Sequence, residues 1–361
     1  MSFGMYRLVR PFLFAFQPET AHNLAIATGR VAQCVPGVGG LMRLFAGSPY
    51  PLPQTLARSV AGVAFPAPVG LAAGLDKGAE LLPIWKALGF GFVEIGTVTP
   101  RPQPGNPKPR SFRLADEELA LNRMGFNSEG AAEVAKRLRR RPSGLVVGGN
   151  IGKNKTTPEE NALDDYRAAY SLIAPEVDYV ALNVSSPNTP GLRRLQAPEL
   201  LAPLLDGMLR FRKEMGLEAR PIFLKLAPDL DFEELDSIVD TALSSGISGL
   251  IATNTTLDRS IIQSEANRAK VQAWGDGGLS GRALKPKAQA VQRRILQRLN
   301  GRLPLIACGG ISTPSDAQES MAMGASLVQI YTALIFQGPG LVGRIHMEIA
   351  NSIEIDGKLC L

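Results

Sequence analysis

The sequence predicts an α/β fold, a (β/α)₈ TIM-type barrel with a helical extension at its N-terminus. From about residue 66 onward, apolar runs alternate with helical patterns, and the runs are near-continuously apolar, as in strands buried on both faces of a parallel sheet. Eight such runs favour a closed barrel over an open doubly wound sheet. The candidate strands are Val69–Ala73, Phe92–Thr97, Leu145–Asn150, Tyr179–Val184, Ile222–Leu226, Gly249–Thr253, Leu305–Cys308 and Leu327–Tyr331.

The bulk composition fits a folded domain with a large core. Of the 361 residues, 45% are hydrophobic and 20% are charged, which argues against disorder. The net charge of +6 is compatible with nucleic acid, an anionic membrane surface or an acidic ligand. Cys34, Cys308 and Cys360 form no CxxC or Cys/His cluster, so we expect neither a disulfide framework nor a metal site. We also expect no transmembrane helix and no signal peptide.

The first 46 residues differ from the rest and predict a pair of amphipathic helices. One apolar face is formed at helical spacing by Met5, Leu8, Val9, Phe12, Leu13 and Phe16. Pro11 should kink or split this helix, and Pro18 could begin a second one that runs through His22 toward Gly29 or Val31. Four arginines against one glutamate make the segment basic. Such a pair is typical of a membrane surface, with packing on the domain as the alternative.

Residues 47–62 carry several prolines and predict a linker. The domain organisation is therefore an extension at 1–46, followed by the linker and barrel at 47–361. Inside the barrel, Thr157-Pro158-Glu159-Glu160 and Thr313-Pro314-Ser315-Asp316 each place an N-cap, a proline at the first helical position and an acid at the third. Both sequences predict helix starts.

Two connections between candidate strands are too long for a single helix. They run from Thr97 to Leu145 and from Thr253 to Leu305, and each is expected to carry an insertion over the mouth of the barrel. The first insertion predicts a hairpin of Ser111–Leu114 and Leu119–Arg123.

Polar residues follow nearly every candidate strand, at the end where barrels of this kind carry their chemistry. Two asparagines bracket a serine in the loop Asn183–Gly191, although a simple turn that ends the strand is the alternative there. Lys225 lies in an apolar strand and must point into the mouth or be paired. Gly309-Gly310 follows the seventh strand, where phosphate commonly binds. Phosphate, a cation and a neutral amide pocket together suggest flavin mononucleotide (FMN), because a cation near the pyrimidine end stabilises the reduced ring.

Five stretches of the chain resemble the dihydroorotate dehydrogenase family. They are Ala73–Lys77, Gly96–Pro100, Asn122–Asn127, Asn183–Gly191 and Thr253–Thr255, in the right order and over nearly the whole chain. The soluble class 1 members use a cysteine as base, whereas this sequence has Ser186. With its N-terminal helices, the chain resembles the membrane-associated, quinone-dependent class 2.

The resemblance implies FMN-dependent oxidation of (S)-dihydroorotate to orotate, with a quinone as electron acceptor, in de novo pyrimidine (UMP) biosynthesis. Ser186 would be the base that takes a proton from C5, while hydride passes from C6 to flavin N5. A serine without an activating partner is a poor base, so geometry and a proton route must help. A relay water held by Thr189 is a hypothesis for that route.

The resemblance also assigns residues to three sites. The substrate site would comprise Lys77, Asn122, Arg123, Met124, Gly125, Phe126, Asn183, Asn188, Asn254 and Thr255. One FMN per chain would be bound by Ala73, Gly74, Lys77, Thr97, Asn150, Asn183, Lys225, Thr253, Gly281, Gly310, Tyr331 and Thr332. The quinone site would comprise His22, Arg113 and Tyr331. His346 matches no motif and is expected to be structural.

We expect a monomer bound peripherally to the cytoplasmic side of the cell inner membrane. Aromatic residues are 6% of the chain and do not interleave with basic patches, so nucleic acid is not an expected partner, and the basic run Arg139-Arg140-Arg141 is typical of a solvated helix end. Three alternatives remain: a class 1-like dihydroorotate dehydrogenase that uses fumarate or NAD, a nicotinamide-dependent flavin barrel, and a barrel that binds phosphate without flavin. The missing strand-linked GxGxxG motif disfavours a dinucleotide site.

Overall fold

The computed structural model describes residues 2–49 and 51–359, although not the side chains of 2–5, 45 and 354–359. The strands are β1 Arg58–Val60, β2 Val63–Phe65, β3 Val69–Leu71, β4 Phe92–Val98, β5 Ser111–Leu114, β6 Leu119–Asn122, β7 Val146–Ile151, β8 Tyr179–Asn183, β9 Ile222–Leu226, β10 Gly249–Ala252, β11 Gly278–Gly281, β12 Leu305–Cys308 and β13 Leu327–Ile330. The α-helices are α1 Ser2–Ala15, α2 Pro18–Ala32, α3 Val38–Ala46, α4 Leu82–Ala87, α5 Ala131–Leu138, α6 Ala162–Ile173, α7 Pro198–Glu214, α8 Phe232–Ser245, α9 Glu265–Trp274, α10 Lys285–Leu299, α11 Pro314–Ala322, α12 Thr332–Gln337 and α13 Gly340–Leu359.

Eight parallel strands close the predicted barrel, in the order β3-β4-β7-β8-β9-β10-β12-β13 and back to β3. These are the eight candidate strands, and their ends differ from the predicted ones by no more than two residues. All residues of each barrel strand are buried, because helices cover the outer face and side chains fill the interior. The fold class is confirmed.

Aromatic rings plug the amino end of the barrel. Phe65, from the β1–β2 hairpin, meets Phe92 edge-on at 5.2 Å between ring centroids, and Tyr179 meets Phe223 at 5.3 Å. Gly148 makes room for this layer, since a Cβ there would come within 2.1 Å of the Tyr179 ring. The cavity is therefore left to the carboxyl end.

The two insertions meet in one sheet over that end. The predicted hairpin forms as β5 and β6, and β11 of the second insertion pairs antiparallel with β6, from Gly278 opposite Asn122 to Gly281 opposite Leu119. The pairing with β11 is absent from the sequence prediction, because its glycine-rich sequence has little strand propensity and depends on a partner far along the chain.

Three local predictions are wrong. α1 continues through Pro11, which lies on the exposed side where water can replace the hydrogen bond that proline cannot donate. Residues 47–62 are no plain linker, because they contain a 3₁₀ turn, β1 and the start of the hairpin. Thr157 caps no helix, since its hydroxyl donates to Asp165 and α6 begins only at Ala162.

Helix starts elsewhere follow the predictions more closely. Thr313 forms a capping box with Asp316, and Pro18 begins α2. The sequence pattern does not predict α3, because Gly39 and Gly40 lower its intrinsic propensity. Packing compensates, since a Cβ at Gly343 of α13 would strike the carbonyl oxygens of Ala46 and Gly47 at the end of α3.

Candidate active site

A cavity of about 1040 Å³ opens at the carboxyl end of the barrel strands, beneath the sheet formed by the insertions. It brings together most of the predicted site residues, namely Ala73, Gly74, Lys77, Thr97, Asn122, Met124, Gly125, Phe126, Asn183, Ser186, Asn188, Lys225, Thr253, Asn254, Thr255, Gly281, Gly310, Tyr331 and Thr332. Asn150 lies just behind this wall.

Side-chain amides form a connected layer on one side of the cavity. Asn183 at the end of β8 donates to Thr97 Oγ1 at 2.8 Å and to Asn150 Oδ1 at 3.2 Å. Asn254 donates to Ser185 Oγ at 3.0 Å. Across the cavity, Asn188 donates to Asn122 Oδ1 at 3.2 Å. These partners fix the orientation of each amide, so the remaining donors and acceptors are held ready for a planar ligand.

Ser186 is buried in the loop after β8, with its Oγ accepting a hydrogen bond of 3.3 Å from the backbone N–H of Asn188. Thr189 is also buried, and its Oγ1 has no hydrogen-bond partner among the described residues. A water bound to Thr189 would satisfy that hydroxyl, which agrees with the relay hypothesis without testing it.

Arg193 holds this loop in place, and the sequence alone does not identify it. Its guanidinium donates to the carbonyl oxygens of Ser185 at 3.0 Å and Thr255 at 2.9 Å, and it pairs with Asp229 at 2.8 Å. One side chain therefore ties the serine loop to the chain segments after β9 and β10. The residues next to Arg193 give no sign of this role, because two of its partners, Asp229 and Thr255, are distant in sequence.

Lys77 places an amine at the rim of the cavity, where Nζ donates to Asn127 Oδ1. Burial, reinforced by the positive charge of Arg110, lowers the pKa of Lys77 to about 7. A bound carboxylate would raise the pKa again and favour the charged amine. Lys77 is thus suited to bind an anionic substrate.

Lys225 on β9 is both paired and directed into the mouth, so both of the arrangements expected from the sequence occur at once. Its Nζ lies 3.1 Å from Glu94 Oε1, deep in the barrel. Although desolvation alone would lower the pKa of Lys225, the Glu94 carboxylate outweighs that effect and raises it. Glu94 is not among the residues predicted from the sequence, although a charged residue inside the apolar run Phe92–Val98 is the same signal that indicates Lys225.

Glycine backbone shapes the opposite end of the cavity. Gly281, Gly309 and Gly310 have φ values of 125°, 105° and 74°, and a Cβ at Gly310 would come within 2.3 Å of the Lys285 backbone. Near them, Thr332 Oγ1 donates to Ser280 Oγ at 2.8 Å. Backbone N–H groups in such a loop can bind phosphate oxygens.

The donor set of the cavity fits FMN on three counts. Exposed backbone and hydroxyls are at the glycine end, Lys225 is at the floor, and the Oε1 of Gln329, a buried residue of the cavity wall, has no hydrogen-bond partner among the described residues. A ligand with ring N–H groups would satisfy that acceptor.

Three further predicted residues lie outside the cavity wall. Arg123 stacks on Phe112 at 4.9 Å and donates to the backbone carbonyls of Trp274 and Asp276, so it joins the two insertions. Arg113 stacks on Phe14 at 4.3 Å at the end of α1. Burial, with a further contribution from Lys77, lowers the pKa of His22 to about 4, so the imidazole is neutral.

Comparisons with known proteins agree with this geometry. The family profile described as dihydroorotate dehydrogenase matches residues 55–353. The chain belongs to the dihydroorotate dehydrogenase family. It is an oxidoreductase whose curated relatives are of the quinone-dependent kind.

Among those relatives, the dihydroorotate dehydrogenase (quinone) of Mycobacterium tuberculosis strain H37Rv is 46% identical over 98% of this chain and 95% of its own. The corresponding protein of Thermobifida fusca is 48% identical over 94% of this chain and 90% of its own. A crystal structure of a dihydroorotate dehydrogenase from Eimeria tenella in complex with ferulenol superposes with a TM-score of 0.84, at 36% identity over 97% of this chain and 96% of that one. Membership in the family is confirmed along nearly the whole length.

Proposed function

We propose that this dihydroorotate dehydrogenase uses FMN to oxidise (S)-dihydroorotate to orotate and passes the electrons to a membrane quinone, in de novo pyrimidine biosynthesis. The observation that carries the proposal is the position of Ser186 in the wall of a cavity that also holds four asparagines and Lys225. A serine hydroxyl, a layer of side-chain amides and a cation around one space support the proposal.

The substrate is bound by groups that match its functional groups. Asn122, Asn183, Asn188 and Asn254 pair with the ring amide edges, and Lys77 pairs with the carboxylate. A site built for such edges rejects analogues that lack them, because its own buried polar groups would then be unpaired. The backbone from Met124 to Phe126 and the hydroxyl of Thr255 complete the enclosure of the substrate, while Arg123, outside the cavity wall, fixes this segment to the second insertion.

Ser186 removes the proton from C5. Its Oγ has no hydrogen bond to a carboxylate or an imidazole among the described residues, so proximity and an exit route for the proton replace activation. The buried hydroxyl of Thr189, in the same loop, offers a site for the water that carries the proton away.

FMN, when bound, supplies the acceptor at N5 for the hydride that leaves C6 of the substrate. Gly281, Gly310 and Thr332 would hold its phosphate, and Lys225 would lie at its pyrimidine end. Ala73, Gly74, Thr97, Thr253 and Tyr331 would line the ring and ribityl chain, with Asn150 supporting Thr97 and Asn183 from behind.

The N-terminal helices provide the path of the quinone and the surface that binds the membrane. Leu8, Phe12 and Leu44 are 77% exposed, a large apolar area for a water-facing surface. No helix among the described residues has the length and apolarity to cross a bilayer. We propose peripheral attachment through this face to the cytoplasmic side of the inner membrane, as a monomer, with His22, Arg113 and Tyr331 along the path of the quinone.

The deciding experiment measures dihydroorotate oxidation by the purified full-length protein with a ubiquinone analogue, fumarate or NAD⁺ in detergent. Rapid turnover with the quinone alone, by a yellow protein whose flavin bleaches on addition of dihydroorotate, supports the proposal. Turnover with fumarate or NAD⁺ instead would assign the protein to a class 1-like activity. A colourless protein would contradict the assignment of FMN as cofactor. A flavin that dihydroorotate does not reduce would contradict the assignment of the substrate.

A further inference from the structure

A fully buried carboxylate, Glu94 on β4, lies beneath the floor of the cavity. It receives four hydrogen bonds, from Asn150 at 2.8 Å and Lys225 at 3.1 Å on Oε1, and from Gln329 at 2.6 Å and Tyr179 at 3.2 Å on Oε2. Burying a charge in a barrel core is costly, and this one has every lone pair of both oxygens in use. A carboxylate so completely bound is held in one place.

Glu94 reaches the cavity only through its partners. Lys225 and Gln329 line the cavity, whereas Glu94 itself does not. The ion pair therefore lies at the floor with its positive end toward the ligand and its negative end one side chain further away. In this poorly solvated interior both charges are felt at the cavity, because little water is present to screen them.

We propose that Glu94 is a positioning residue that sets the net charge beside the flavin and so lowers its reduction potential. The inference rests on the proposed FMN site. Reduction adds negative charge to the ring system, which Lys225 favours and Glu94 opposes. With both present the pair is nearly neutral. Compared with a flavin beside Lys225 alone, the bound flavin is then a weaker oxidant of dihydroorotate. Its reduced form passes electrons to the quinone more readily.

The variant Glu94→Gln removes the charge and can keep every hydrogen bond. Its Oε1 can still accept from Asn150 and Lys225. Its new Nε2 group can donate to the Tyr179 hydroxyl and to Gln329, whose Oε1 has no partner among the described residues and becomes an acceptor there after the amide rotates. The change is thus close to a pure change of charge. Tyr179→Phe is the matched control, because it removes one hydrogen bond to Glu94 and leaves the charge.

The test is the flavin midpoint potential of the full-length holoproteins, measured by spectroscopic titration against reference dyes. For Glu94→Gln we expect the equilibrium constant for reduction to rise about 10- to 100-fold at neutral pH, which is a positive shift of about 30 to 60 mV for two electrons. Reduction by dihydroorotate should be faster and oxidation by quinone slower. Tyr179→Phe should leave the potential close to that of the wild type.

An unchanged or lower potential in Glu94→Gln would overturn the inference, and so would an equal shift in Tyr179→Phe. Should Glu94→Gln fail to fold, the double variant Glu94→Gln/Lys225→Met serves, because a buried ion pair is replaced as a whole at less cost than it is broken. Its potential should stay close to that of the wild type, whereas a clear fall would show that Glu94 does not offset Lys225 and would reject the inference. A wild-type protein without flavin would instead reject the proposed function.

Discussion

The barrel mouth and the N-terminal helices use polar and apolar residues in opposite ways. At the mouth, polar side chains such as Asn183 and Glu94 are buried, and each is hydrogen-bonded to other polar side chains. In the helices the apolar residues are exposed: of the thirteen large hydrophobic side chains that the described residues expose, nine lie between Leu8 and Leu44. The mouth therefore binds most of its polar groups within the chain and keeps a few, such as Gln329 Oε1, for a ligand, whereas the helices leave an apolar surface uncovered.

The contact between the two regions combines polar and apolar interactions, and the apolar ones include the edge-on contact of Phe14 with Phe336 at 5.6 Å between ring centroids. Arg110, which is almost fully buried, binds both carboxylate oxygens of Glu19 at the start of α2. At the other end, Arg10 of α1 donates to the Phe336 carbonyl of α12 at 3.2 Å. Leu8, Phe12 and Leu44 are a separate, exposed set of apolar side chains that this contact does not cover.

The largest effect is expected from a substitution at the barrel mouth. Replacing Ser186 by Ala should slow flavin reduction by dihydroorotate about 10²- to 10⁴-fold, because the base is lost while the cavity and its flavin are retained. Stopped-flow bleaching of the flavin measures this step alone. Ser185→Ala removes a neighbouring buried hydroxyl that binds Asn183 and Asn254, and should cost far less. Equal effects of the two changes would show that Ser186 only supports the loop.

The second prediction concerns a histidine on the barrel side of the comparison. Burial lowers the pKa of His346 to about 4, and neither ring nitrogen has a hydrogen-bond partner among the described residues. The unfolded chain takes up this proton below about pH 6.5 and the folded chain does not, so stability falls as pH decreases from about 6.5 to 4, by about 3 kcal/mol in total.

The variant His346→Leu should lose this part of the pH dependence. Urea unfolding of the wild type and the variant at neutral pH and near pH 4.5 gives the free energies of unfolding, and carboxyl groups that titrate in both proteins cancel in the difference. If the difference between the two proteins were constant with pH, the histidine would not be the titrating group.

The third prediction tests the exposed side of the helices. The double change of Leu8 and Phe12 to Ser should weaken binding to anionic vesicles by about tenfold or more, because each large apolar side chain contributes about 1.5 to 3 kcal/mol when fully buried. Phe232→Ser is the control, since Phe232 is 51% exposed on the barrel. Sedimentation with vesicles measures the binding. A similar loss of vesicle binding in Phe232→Ser would contradict a specific role of the exposed face of the helices.

The smallest effect is expected at the contact between the regions. Glu19→Gln leaves the buried Arg110 guanidinium without its carboxylate and should loosen α2 by about 1 to 3 kcal/mol. Hydrogen exchange in α2 should become faster and the KM for quinone should rise, while reduction by dihydroorotate changes little. Lys108 contacts the same carboxylate from an exposed position at 3.5 Å, so Lys108→Gln is a milder control. Slower reduction by dihydroorotate in Glu19→Gln would show that the helices also shape the mouth.

The same comparison explains what the sequence could predict. The barrel strands are largely apolar and are buried throughout, so their pattern was sufficient to place all eight. Most polar residues at their ends line one cavity because parallel strands share one edge. Arg193 escaped prediction, since its three partners come together only in the folded chain. α3 was not predicted because its two glycines lower its helix propensity, and the helix is stabilised by packing against α13.

The sheet that joins β11 to β6 and β5 has a consequence for engineering. Its strands come from two insertions that are separated in sequence by four of the eight barrel strands, and Arg123 joins them through carbonyls of the second insertion. Neither insertion can be exchanged for that of a relative without leaving the edge of the other uncovered. A chimera made to alter substrate preference would have to transplant both as a unit.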